Sequence, residues 1–304
     1  MEKSIVPYLA LLLVQLLFGF NFAASKIVLN SYPALPWAAV RMSIAAVFMF
    51  IASMIVVPKE QRKVDLNFLK KTFIYGLFGI ALCQSFFLIG LKNTTITNSA
   101  VLSTLTPIFT LLFGIIGGRE KFTWNRAIGF LIALSGVLIL RHIEDFQASM
   151  DTMKGDLFTL LNCAALAFFF SISREFMKVN SAFWATAWMF LFGAILIGVF
   201  CLITGVPPMT SEMNGSLIGA ALYSIIGATI LTYFLNSWTL KKVPASSVAV
   251  FIYLQPVIAV SYAWFAQDQP PTMRTIVSVM CIFCGVLLGV VVKPKKVEEK
   301  LVAV

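Results

Sequence analysis

Two short stretches hold the side chains best placed to do chemistry. In Ala100–Phe109, AVLSTLTPIF, Thr104 and Thr106 stand just before Pro107; in the later run VFIYLQP, Tyr253 and Gln255 stand just before Pro256. Both stretches lie inside long apolar runs. Proline there removes a backbone donor and crowds the preceding turn, at a cost of about 3 kcal/mol in an ordinary helix. It also frees a carbonyl, and a freed carbonyl beside hydroxyls or an amide gives a polar solute partners where lipid offers none. The plainer alternative is a pair of packing kinks, since proline is common in membrane helices.

Other polar groups at comparable depth are Gln15, Asn21, Gln84, Asn98, Asn162, Tyr233 and Asn236. Each alone reads as an interhelical hydrogen bond worth roughly 0.6–2 kcal/mol. As a set they exceed what helix association requires. The candidate substrate contacts are therefore Asn21, Gln84, Thr104, Thr106, Asn162, Tyr233, Asn236, Tyr253 and Gln255, with helix breaks at Pro107 and Pro256. Arg41, in WAAVRMSIAAV, is the one cation clearly inside an apolar run. It joins the set as a partner for a carboxylate or phosphate, against the alternative of a side chain snorkelling to the outer interface.

Covalent chemistry is not written in this sequence. Cys281 and Cys284 share a helix face, but no histidine or carboxylate stands near enough to complete a metal site, so they read as small hydrophobes. His142 shares a loop with Glu144 and Asp145 and reads as solvated. No nucleophile triad, phosphate-binding glycine loop or HExxH is present. Neither an enzyme nor a cofactor is expected. The 13 acidic residues all fall in loops, tails or helix ends. That leaves no titrating group at mid-membrane for a proton relay, and only end residues such as Glu120 or Glu175 for coupling.

The chain that must position these groups is 60% hydrophobic and 12% charged over 304 residues. Soluble domains run at about 45–50% and about 25%, so lipid is the solvent. Ten apolar runs of membrane-crossing length follow: 6–28, 34–57, 68–91, 97–118, 123–140, 155–175, 181–204, 214–238, 245–266 and 272–292. The first is too long for a signal peptide and lacks a small-x-small cleavage site, so it reads as a retained helix. With the N-terminus inside, 17 of the 23 Lys and Arg residues fall on one side, which orients both termini to the cytoplasm. The net charge of +10 thus serves topology and contact with anionic lipid, not nucleic acid.

LKNTTITNSAVLSTLTP at 91–107 and LKKVPASSVAVFIYLQP at 240–256 align at an offset of 149, which extends to Gly136-Val137-Leu138 against Gly285-Val286-Leu287. The ten runs are therefore two units of five, residues 1–143 and 144–304. Five is odd, so the second unit enters the membrane from the opposite side. The expected class is an all-α integral membrane protein of two inverted five-helix repeats, a design suited to alternating access around a central site.

With those features in place, the sequence resembles the ten-helix branch of the drug/metabolite transporter superfamily, built from two EamA-type repeats. The resemblance rests on Phe18-Gly19-Phe20-Asn21-Phe22 followed by Lys26, on Arg41, on Ala100…Pro107…Arg119-Glu120, and on Gly129…Gly136-Val137; the second unit repeats Ala249…Pro256 and Gly285-Val286. It implies a bacterial inner-membrane exporter of amino acids, related metabolites or toxic compounds, with helices 1, 3, 4, 6, 8 and 9 around the cavity. One departure is Gln269 at the position matching Glu120, which points Glu120 toward structure near the cap of the fifth helix. The competing readings are a non-transporting membrane scaffold or subunit and, within transport, a nucleotide-sugar or sugar-phosphate carrier, which would carry more buried Lys or Arg. Gly114-x-x-x-Gly118 and Gly285-x-x-x-Gly289 allow close helix contacts, a homodimer included. Reporter fusions at residue 148 and at the C-terminus should report opposite sides of the membrane; same-side signals would contradict the five-plus-five scheme.

Overall fold

A chain in hydrocarbon must satisfy its own backbone, and helices do so within one segment. In the computed structural model, residues 5–94, 96–140, 150–206, 215–255, 257–258 and 272–291 are described, and all their regular structure is helical. The helices are α1 (Val6–Ser31), α2 (Ala34–Val56), α3 (Leu66–Asn93), α4 (Ile96–Ser103), α5 (Thr106–Ile116), α6 (Trp124–Leu140), α7 (Met150–Val179), α8 (Ala182–Thr204), α9 (Gly215–Leu240), α10 (Ala245–Val250) and α11 (Met273–Val291). Six of them (α1, α2, α3, α7, α8 and α9) are long and apolar enough to cross a membrane, while α5, α6 and α11 are shorter apolar helices. The described residues do not by themselves give the count of ten spans. The expected fourth span is split into α4 and α5, and part of the expected ninth lies outside the described residues, as do Pro256, His142 and Gln269.

Large apolar side chains such as Val47, Ile51, Ile55, Leu202 and Ile203 point outward, as lipid requires. Inside, α2 packs on α8, α6 on α11, and α7 on α3 and α5. The α6–α11 contact is built on glycine. A Cβ at Gly136 would meet the Ser278 carbonyl, and one at Gly285 would meet the Gly129 carbonyl and the Ala133 amide. Residue numbers rise along one helix as they fall along the other, so the two run antiparallel. The pairs 136/278 and 285/129 also exchange under the offset of 149. Gly285 is thereby used within the chain. Gly114 is used in a helix end: its carbonyl accepts from the Arg119 and Glu120 amides at 2.9 and 3.0 Å, with Gly118 in the left-handed region at φ 65°, where glycine carries no Cβ penalty.

The same offset relates other features. Both α3 and α9 contain a π-helical stretch, Leu77–Leu82 and Tyr223–Leu231, ending at equivalent positions. A π-bulge inserts an extra residue per turn and often marks a functional site. At the end of α3, the Leu91 and Thr94 carbonyls accept from Lys26 Nζ at 2.7 and 3.2 Å. Just beyond α9, the Val243 carbonyl accepts from Arg174 Nε at 3.1 Å. A cation from the first long helix of each half therefore meets carbonyls at the end of the third or just past it.

The α6–α11 seam yields a test. Gly285→Leu should force those helices apart and cost about 1–3 kcal/mol through overpacking, lowering the melting temperature in detergent. Gly219→Leu, at a helical glycine with open space around it, should leave it unchanged or raise it.

Candidate functional site

Helix breaks position the site. α5 begins at Thr106, so Pro107 sits in its first turn. The break itself lies at Thr104–Leu105. Pro107 leaves the Ser103 carbonyl without its helical donor, and Thr106 Oγ1 supplies one at 2.8 Å. In the second half α10 ends at Val250 and a single 3-10 turn, Phe251–Tyr253, follows. Residue 253 lies 149 beyond Thr104, so the two interruptions overlap at that position.

Each broken helix has a carboxylate from the other half at its start. Glu120 accepts from the Ser246 amide at 3.0 Å and from the Ser246 hydroxyl, and pairs with Arg126 at 3.0 Å. Asp156 accepts from Thr94 Oγ1 at 2.6 Å and from Asn98 Nδ2 at 3.3 Å. Acidic groups are favourable at helix N-termini. Glu120 thus joins the start of α10 to the start of α6, a wider role than capping near the fifth span. Glu175 is exposed and pairs with Lys178 and Arg174.

Between these elements lies a cavity whose empty space, counted to its open mouth, is about 800 Å³. Of the residues singled out from sequence, Asn21, Gln84, Thr106, Asn162, Tyr233, Asn236 and Gln255 line it. Arg41, Thr104 and Tyr253 are buried but stand behind the wall. Gln15, Ser103 and Cys83 complete the polar lining, and Phe18, Phe22, Phe87, Phe169 and Phe170 give it aromatic faces. Cys83 and Ser103 escaped sequence reasoning because a thiol or a small hydroxyl in an apolar run looks like packing. Among the described wall residues none is charged.

The polar groups are tied together. Gln255 Nε2 donates to Gln15 Oε1 at 2.8 Å. Asn21 Oδ1 accepts from Ser25 and Ser224 hydroxyls at 3.2 and 3.3 Å. A longer chain crosses the molecule. Arg41 Nη2 donates to Gln84 Oε1, Gln84 Nε2 donates to the Tyr233 hydroxyl, that hydroxyl donates to Cys83 Sγ at 3.8 Å, and Cys83 Sγ donates to Asn162 Oδ1 at 3.1 Å. Gln84 and Tyr233 are 149 residues apart, so each half contributes the same position to one bond. The neighbouring pair obeys the offset too: Arg41 meets Gln84 in one half, and Phe190 packs edge-on against Tyr233 in the other with ring centres 5.3 Å apart.

The profile of the EamA-like transporter family matches residues 5–141 and 153–291. The chain belongs to that family. Similar chains include "Uncharacterized transporter YyaM" of Bacillus subtilis (strain 168), 26% identical and covering 96% of this chain and 97% of its own length. Another is "WAT1-related protein At1g25270" of Arabidopsis thaliana, 24% identical over 97% of this chain and 90% of its own. A solved structure described as "Crystal structure of protein" superposes with a TM-score of 0.75 at 18% identity, covering 94% of this chain and 96% of that one. It shares the fold. As an EamA-like chain with multiple apolar helices, this is a multi-pass membrane protein of a family that transports small molecules.

The geometry at the first break predicts an unusual double mutant. Thr106→Val strands the Ser103 carbonyl and should cost about 1–3 kcal/mol. Pro107→Ala restores the backbone donor, so the double variant should melt above Thr106→Val alone. Additive losses in that cycle would refute the assignment of the hydroxyl as the proline's substitute.

Proposed function

We propose that this EamA-like chain is a secondary transporter of the bacterial inner membrane, exporting small amphipathic metabolites, amino acids foremost, by alternating access. The observation that carries the reading is the cavity itself: neutral polar groups and aromatic faces contributed by both halves, beside two helices whose interruptions overlap at one equivalent position. A solute with one polar end and an apolar body matches such a lining. The inverted arrangement of the two halves is supported by α6 and α11, equivalents at the 149 offset that pack antiparallel. Alternating access then follows from exchanging the two halves' conformations around a site near their shared axis. Both termini are assigned to the cytoplasm on the strength of the charge distribution.

A membrane scaffold would need neither a cavity nor broken helices. A carrier of nucleotide sugars or sugar phosphates would need cations on the wall to offset phosphate charge, and the described wall residues are neutral. The polar groups of the described wall residues are amides, hydroxyls and one thiol.

Purified protein in liposomes, screened with radiolabelled solutes, tests the reading. Neutral amino acids with apolar or aromatic side chains should enter saturably, and Asn162→Leu should reduce that flux about tenfold or more, as expected for loss of a polar contact worth about 1.4 kcal/mol or more. Preference for a sugar phosphate, or no flux of any metabolite above empty liposomes, would overturn it.

A further inference from the structure

Arg41 is only 1% exposed, yet its Nε and Nη1 have no hydrogen-bond partner, and none of the acidic residues described forms an ion pair with it. A guanidinium buried this way is expensive unless its charge is used. It stands behind the cavity wall rather than on it, so direct contact with a solute is not what its position provides. Its bond to Gln84 is.

A guanidinium can only donate. Gln84 must therefore turn its carbonyl to Arg41, which leaves its NH₂ to face Tyr233. The tyrosine oxygen accepts there, so its own proton goes to Cys83. With its sulfur accepting, Cys83 has its S–H left to give, and it gives it to Asn162 Oδ1. The direction of every bond is thereby fixed from one end. Asn162 Oδ1 is thereby occupied by Cys83, and its NH₂ is the group left to donate to a ligand. Across the site Asn236 offers the opposite demand: it lines the cavity, it is 5% exposed, and its Oδ1 has no partner.

We propose that Arg41 is a positioning residue that sets the hydrogen-bond direction of the Arg41–Gln84–Tyr233–Cys83–Asn162 chain, making Asn162 the donor that receives a ligand carboxylate while Asn236 receives an N–H group. The positive charge behind the wall, in a medium of low dielectric, favours the same anionic end. The ligand class is a small zwitterion with its carboxylate at Asn162 and its ammonium group at Asn236. This rests on the transport reading above and sharpens it.

Two measurements on the full-length protein separate the relay from the ligand. The first needs no ligand. The Cys83 S–H stretching band, isolated as the infrared difference between wild type and Cys83→Ala, should lie at the low frequency of a strong donor and move upward in Arg41→Gln. A free S–H band in the wild type, or no movement in the variant, would overturn the relay. The second uses L-phenylalanine and L-phenylalaninamide as matched probes in liposomes. Wild type should favour the carboxylate probe about tenfold or more. Cys83→Ala keeps the charge but cuts the chain, and should bring the ratio to within about twofold of unity. Cys83→Ser passes the bond on in the same direction and should restore it. Equal ratios in wild type and Cys83→Ala would refute the proposal even if Arg41→Gln fails to fold. A wild-type protein that moves neither probe would overturn the ligand half and the amino-acid reading together, while the infrared comparison would still decide the relay.

Discussion

A polar side chain in the hydrocarbon core has no water to fall back on, so its partner must be another part of the protein. That constraint organises this molecule around the bond between Gln84 and Tyr233. The two residues occupy equivalent positions in the two halves and meet each other. Behind them stand matching pairs, Arg41 with Gln84 and Phe190 with Tyr233. The halves have kept the contact geometry and exchanged the chemistry. One half brings a buried cation and an amide; the other brings two aromatic rings. Equivalent positions of the two halves thereby place unlike side chains beside the cavity.

The helix breaks follow from the same constraint. A proline frees a carbonyl, and at Ser103 a threonine hydroxyl answers it. The N-termini of the broken helices expose amides, and carboxylates from the opposite half answer those or the polar side chains beside them. Polar satisfaction is thus repeated at the middle and at the start of both broken segments. The apolar seams tie the rest together, α2 against α8 and, through glycine and close approach, α6 against α11.

Much of this was legible in the sequence, and the misses have physical causes. Apolar length revealed the long helices, and the 149-residue offset revealed matching positions, because both are linear properties of the chain. The amides at Asn21, Gln84, Asn162 and Asn236 stood out because an amide in lipid is costly wherever it points. Whether a buried polar group stands on the cavity wall or behind it is a matter of rotation about the helix. For that reason Arg41, Thr104 and Tyr253 could not be told from Thr106 and Gln255 in advance. The exact site of the break was also hidden: Pro107 starts a helix rather than interrupting one, because the chain yields a turn earlier at Thr104–Leu105. The close contact of Gly285 lies within the chain, and spacing alone cannot distinguish an internal partner from a second copy.

The central claim is that this cavity is a path reached from both sides of the membrane rather than a packing defect between kinked helices. Single cysteines placed at Ser103 and at Gln255 in a cysteine-free background, in vesicles of known orientation, test it directly. A charged, membrane-impermeant thiol reagent applied to one face and then the other should modify each position from both faces, at rates that a transported solute changes. Modification from neither face, in protein that is folded and inserted, would contradict the account.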